Sequence, residues 1–194
     1  MMITAPILQS QLSYLQNSGI IEAFKAASRL TGVDENLLLA IASRESNMGQ
    51  SLDANYTGDV GGCGVLGCGI GIMQIDRRYH KNYAATKAPN DHFSNVLKAA
   101  QILSQNLKDF KGKKRPAIAA YNAGTGSVRS AILQNLNPDL FTTGQNYSRD
   151  VLRRYKLINE LTGKGFNDPV LKVLMGVGAF TAIAGSTYFY LTTN

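Results

Sequence analysis

Acidic residues are in short supply. Thirteen Asp and Glu stand against 20 Lys and Arg, and the net charge is +7. That balance favours an anionic partner: nucleic acid, an anionic membrane or a polyanionic cell wall. Nucleic acid is set aside, because basic and aromatic residues are not interleaved as they are in nucleic-acid-binding motifs. The densest positive run, KDFKGKKRP at 108–116, reads as a solvated loop after a helix. Cysteine is almost absent. Cys63 and Cys68, in GGCGVLGCG, are too few for a structural zinc site, and no histidine follows at finger spacing. They either close a small disulfide loop or stay reduced. Serine and cysteine nucleophile motifs are missing too, so His80 reads as a supporting residue rather than a catalytic base. The opening MMITAPILQSQLSYLQ lacks the basic start and long apolar core of a secretory signal. There is no internal repeat and no low-complexity segment. Charged residues make up 17% and hydrophobic residues 44% of the 194, which excludes global disorder and supplies the core of one domain.

What the sequence does have is helical periodicity. Segments 7–16 and 20–30 predict two short helices, the second stopped by Gly32. Asp34 is placed to cap a third, with Val33 and Leu38 positioned as a hydrophobic staple. A polar, glycine-rich segment follows over 47–71. Its length marks a functional loop or an insertion, with room for short strand pairing. Segment 91–110 is strongly amphipathic, with Phe93, Val96, Leu97, Ala100, Leu103, Leu107 and Phe110 on one face. A helix at 115–122 carries Pro116 in its first turn and ends at Gly124. Another follows at 128–136, before the Asn137–Pro138 breaker. The last, 147–161, turns Val151, Leu152, Tyr155 and Ile158 inward and stops at Gly163.

Residues 164–169 read as a linker. Beyond them, VLMGVGAFTAIAGSTYFYL at 173–191 holds no charge and is about long enough to cross a bilayer as a helix. Tyr188 and Tyr190 suit one interface and Lys172 the other. The alternative is a buried C-terminal helix.

Within the third helix, Leu37, Leu38 and Ile41 form a stripe, and Glu45 falls near it. A carboxylate held against apolar side chains is desolvated when charged, so its pKa rises, as a general acid requires. The alternative is that Glu45 ends the helix and turns into water. Asp59, in YTGDVGG, and Asp76, in GIGIMQIDRRYH, add carboxylates in unusual settings. A glutamate with one or two aspartates suits glycoside hydrolysis. Otherwise Asp59 is a turn residue, and Asp76 a helix cap or a partner for Arg77 or Arg78.

Five blocks occur in order: RES at 44–46, GIMQID at 71–76, RRYH at 77–80, AYNAG at 120–124 and NYSRDV at 146–151. Over about residues 20–161 this pattern resembles the goose-type lysozyme family, kin of the soluble lytic transglycosylases. The resemblance implies a mainly α, lysozyme-like α+β domain dominated by helices over 1–163; it does not cover the C-terminal apolar run, from which the linker at 164–169 and a C-terminal transmembrane helix at 170–192 are expected. It implies Glu45 as catalytic acid, and Asp59 and Asp76 as aspartates that position water. Gln74, His80, Tyr121 and Asn122 match cleft residues, and Tyr147 matches a tyrosine near the acid. The implied substrate is the β-1,4 bond of peptidoglycan, with no metal or organic cofactor. Alternatives are a lytic transglycosylase giving 1,6-anhydro products and a non-catalytic wall-binding or structural membrane protein. Asp59 precedes Asp76 by 17 residues, longer than the family's interval; the extra residues are 61–69. The expected location is a membrane, by a single C-terminal pass, with positive charge before the span pointing to the internal membrane of a bacterial virus.

Overall fold

The computed structural model describes residues 3–53 and 68–163. The chain divides into two units, 1–158 and 159–194, and of the second only 159–163 are described. The described helices are α1 Ala5–Asn17, α2 Ile21–Thr31, α3 Glu35–Ser46, α4 Lys81–Thr86, α5 His92–Asp109, α6 Lys114–Ala123, α7 Thr125–Leu133 and α8 Tyr147–Leu161, with a short 3-10 turn at Thr143–Gln145.

Local chemistry sets most of these ends. The Asp34 carboxylate accepts from Asn36 N at 2.8 Å and Leu37 N at 3.3 Å, so α3 starts where the sequence predicts. Gly32 ends α2 in the left-handed conformation, φ +72°. Asp91 caps α5 through Ser94 N at 3.0 Å. The helix α7 starts three residues before the expected 128, because Gly124 both ends α6 and opens α7. The short α4 is not foreseen by periodicity at all.

At the centre lies α3. It is buried on every side from Asn36 to Ser43, not on one stripe. Each of its buried leucines contributes about 2 kcal/mol. It packs against α2 and α5; α5 in turn packs on α2 and α6, and α6 on α7. The buried line of α5 is Asn95, Val96, Ala99, Ala100, Leu103 and Asn106, whereas Phe93 is 44% exposed. The expected stripe is therefore rotated, and two asparagines point inward. Three side chains of α8 tie to the α3 region: Tyr147 to Glu45, Arg154 to Ser43 and Tyr155 to Asp34.

Two parts of the expected fold class are corrected. Among the described residues no strand forms, only an isolated bridge at Ile70, because the loop there is held by side chains from helices. Nor is any described helix long and apolar enough to cross a membrane. The longest, α5, has 18 residues and buries one face only. The expected linker at 164–169 and span at 170–192 lie outside the described residues. The expected virion-membrane location depends on that span.

Candidate active site

Glu45 stands in the last turn of α3, where the helix emerges from the core and is half-buried. The helix stops abruptly behind it. Asn47, Met48 and Gly49 have φ of +51°, +56° and +94° in succession. A buried methionine in this region is strained and persists only where its surroundings hold it. Here Met48 N donates to Ala42 O at 3.0 Å. Ser46 Oγ accepts from Gly49 N at 2.9 Å and donates to Ile72 O at 2.7 Å.

That last bond reaches the second part of the site, a tight turn. Ile70 and Ile75 exchange backbone bonds at 3.0 Å each, and Gln74 N donates to Gly71 O. Side chains from three helices hold the turn's carbonyls: Ser46 at Ile72, Asn95 at Ile70 (2.8 Å) and Tyr121 at Met73 (2.8 Å). Asn95 Oδ1 also accepts from Met73 N at 2.8 Å. The close fit needs glycine. At Gly71, φ is +66° and a Cβ would lie 2.6 Å from the Asn95 side chain. Gln74 sits at φ +50°, with its amide donating to Gly71 O at 2.8 Å.

Tyr147, 1% exposed at the start of α8, donates its hydroxyl to Glu45 Oε1. The buried Asp139 positions this helix start by accepting from Ser148 N and Ser148 Oγ, both at 2.7 Å. Burial pushes the Tyr147 hydroxyl well above its ordinary range, and the Glu45 carboxylate pushes it the same way. Tyr121 is raised by burial first and Glu45 second. Both tyrosines therefore keep their protons and act as donors. Arg44 lies 5.8 Å from the Tyr147 ring centroid and pairs with Asp150 at 3.6 Å.

Glu45, Gln74, Asp76, His80, Tyr121 and Asn122 line one cleft of about 790 Å³. The structure thus brings six of the eight expected residues to one wall system, with Tyr147 buried behind Glu45. Asp59 lies outside the described residues. Asp76 is gripped by Arg78, whose Nε reaches Oδ1 at 3.0 Å and whose other nitrogen reaches Oδ2 at 2.5 Å. Arg78 thereby lowers the carboxyl below its ordinary 3.8, against a smaller opposing effect of burial. His80 is lowered from 6.5 by burial and then by Lys98, so it is neutral at pH 7. Tyr121 and Asn122 also support the cleft from within: Tyr121 through Met73 O, and Asn122 by accepting from Thr143 N at 2.8 Å. Among the described residues no cluster of His, Cys, Asp or Glu could hold a metal. Cys68, on the cleft wall, is disulfide-bonded.

Sequence reading missed Asn95 and the pair Ser43–Arg154. Arg154 is 7% exposed; it donates to Ser43 Oγ at 2.7 Å and pairs with Asp150 at 2.9 Å. The available signal was an asparagine on an apolar helix face, which must find partners once buried.

Residues 22–140 match the transglycosylase SLT domain family. The chain is 32% identical to lysozyme g of Struthio camelus over 148 residues, covering 69% of this chain and 65% of that protein. Lysozyme g of Cyprinus carpio is 33% identical over 131 residues, 63% of each chain. The invasion protein IagB of Salmonella typhi is 25% identical over 156 residues, 78% of this chain and 86% of that protein. The chain spans from 55% to 67% of the length of the g-type lysozymes it matches.

Proposed function

Because the chain belongs to the transglycosylase SLT domain family, we propose that it cuts the β-1,4 bond between N-acetylmuramic acid and N-acetylglucosamine in peptidoglycan. The observation that carries this reading is Glu45: a carboxylate at the end of a buried helix, oriented by a buried tyrosine, on the wall of a cleft of about 790 Å³ that also holds an ionised aspartate. That volume lies within the range of ligand sites.

Glu45 gives its proton to the bridging oxygen as the bond to C1 of the muramic ring breaks. The oxygen leaves as the 4-hydroxyl of N-acetylglucosamine. Positive charge builds on the muramic ring, and the Asp76 carboxylate offsets it while orienting a water. The water oxygen bonds to C1, and its proton passes to Asp76. Neutral His80 and the Gln74 amide offer hydrogen bonds to the sugar.

A second reading is favoured by the Asp76–Arg78 fork. A carboxylate held through both oxygens by a guanidinium is a weak base. The muramic 6-hydroxyl would then close on C1 in place of water, giving its proton to the Glu45 carboxylate that the first step left ionised, and a 1,6-anhydro ring remains. Mass spectrometry of products from purified sacculi separates the two. Hydrolysis leaves reducing ends, and the anhydro product is lighter by one water. A folded protein that releases neither, yet binds the wall, would contradict both readings and favour a non-catalytic role.

A further inference from the structure

We propose that the apolar loop after α7 and the basic run before α6 form one surface that docks on an anionic lipid bilayer. Seven large hydrophobic side chains of the described residues are well exposed. Four of them, Ile132, Leu133, Leu136 and Phe141, fall within ten residues, with Leu133 at 84%. Single exposed hydrophobics are ordinary, but a group of them marks an interaction surface. None of the four lines the cleft, and the proposal stands whether or not the glycosidase reading holds.

The exposure is built into the loop. Leu136 N donates to Ala131 O at 2.8 Å and Asn135 N to Ile132 O at 3.0 Å, with Asn135 at φ +57°. A residue placed as Leu136 is, just past the left-handed one, often packs back on its helix. Leu136 instead stays 44% exposed. Leu140 N then donates to Asn137 O at 2.9 Å and Thr142 N to Asp139 O at 3.0 Å, while Asp139 is anchored by Ser148. The apolar side chains are thus held outward on a fixed frame.

The charge beside them selects the partner. Arg115 donates to Asn137 Oδ1 at 2.9 Å and lies 3.8 Å from the Asp139 carboxylate, which fastens the basic run to the loop. Lys111, Lys113, Lys114 and Arg115 are exposed, as is Arg149 next to Ser148. Residues 111–149 hold six Lys and Arg against one acid, Asp139, which is buried. A wall polymer answers the charge but offers nothing to the leucines. A second copy offers apolar surface but brings the same positive charge. An anionic bilayer answers both, with headgroups for the cations and acyl chains for the apolar tips.

The test is oxidative footprinting of the full chain, read by mass spectrometry at Leu133, Leu136 and Phe141. Leu30, 66% exposed on α2, is the reference. The chain is labelled alone, with phosphatidylcholine vesicles, with vesicles containing phosphatidylglycerol, and with lipid-free sacculi. Labelling is expected to be strong in the chain alone and with neutral vesicles. Anionic vesicles should lower it about five- to tenfold relative to Leu30. Salt at about 0.5 M should restore it. Leu133→Gln/Leu136→Gln and, separately, Lys111→Gln/Lys113→Gln should lose the protection at Phe141 with unchanged melting curves, whereas Leu133→Met keeps it. Weak labelling in the chain alone means that the loop is already covered, by its own chain or by a second copy, and overturns the proposal. Equal protection by sacculi assigns the surface to the wall and overturns it too. So does unchanged labelling with anionic vesicles, equal protection by neutral ones, or full protection of both double variants.

Discussion

A carboxylate at a helix end wanders unless another group holds it. For Glu45 that group is Tyr147, which is buried, keeps its proton and donates a hydrogen bond to Glu45 Oε1. A hydrogen bond of this kind contributes about 0.5–1.5 kcal/mol. Asp76 is held in a different way, by the fork from Arg78. The sequence offers Arg77 and Arg78 equally as partners, and the geometry selects Arg78. Because the folded-state value of Asp76 is depressed below 3.8, its stabilising contribution is present above that value and lost as pH falls through the lower one. Arg78→Met removes the main cause of the depression. The acid limb of the rate profile is then expected to move to higher pH, toward the ordinary carboxylate value. A pH–rate series on sacculi checks this; an unmoved limb would mean that Asp76 takes no part in the rate.

At the scale of elements, the turn over residues 70–75 is the piece that makes a cleft out of a helical bundle. Its carbonyls rest on Ser46, Asn95 and Tyr121, from three helices far apart in sequence. Asn95 is fully buried and holds both edges of the turn. Asn95→Ala leaves Met73 N and Ile70 O without this partner and opens a small void. It should cost about 2–4 kcal/mol, read as a lowered unfolding midpoint. A change under about 0.5 kcal/mol would show that the turn stands without it. This element also marks the limit of sequence reading. The helices were legible because period, caps and stops are local signals: Asp34, Gly32 and the 147–161 segment sit where they predict. The turn's supports have no local signature, since each bond joins residues 22 or more apart. The α5 stripe was misjudged for a related reason. Phe93 and Leu107 suggested the inner face, but the two inward asparagines are fixed by what they hold. In the site itself, six of the residues the motif blocks pointed to line one cleft. What they could not give was that Tyr121 and Asn122 also brace the protein.

For the whole molecule, the excess of positive charge acts before any contact forms. If the substrate is the polyanionic wall, as proposed, a net charge of +7 draws the protein toward it over a range that salt shortens, from about 10 Å at 0.1 M to about 3 Å at 1 M. Raising salt across that interval should weaken binding to whole sacculi several-fold while leaving turnover of a short uncharged glycan unchanged. Cosedimentation with sacculi, run beside the oligosaccharide assay, checks it; equal effects on both would place the salt dependence in the cleft. On the proposed reading, the cleft chemistry depends on one proton at Glu45. Glu45→Gln keeps the size of the side chain and an oxygen for Tyr147, and removes that proton. The decisive measurement is release of soluble fragments from purified sacculi by this variant, with its melting curve recorded alongside. The account predicts a loss on the order of 10²–10⁴-fold with the fold retained. A folded Glu45→Gln protein that solubilises the wall at near the wild-type rate would contradict it.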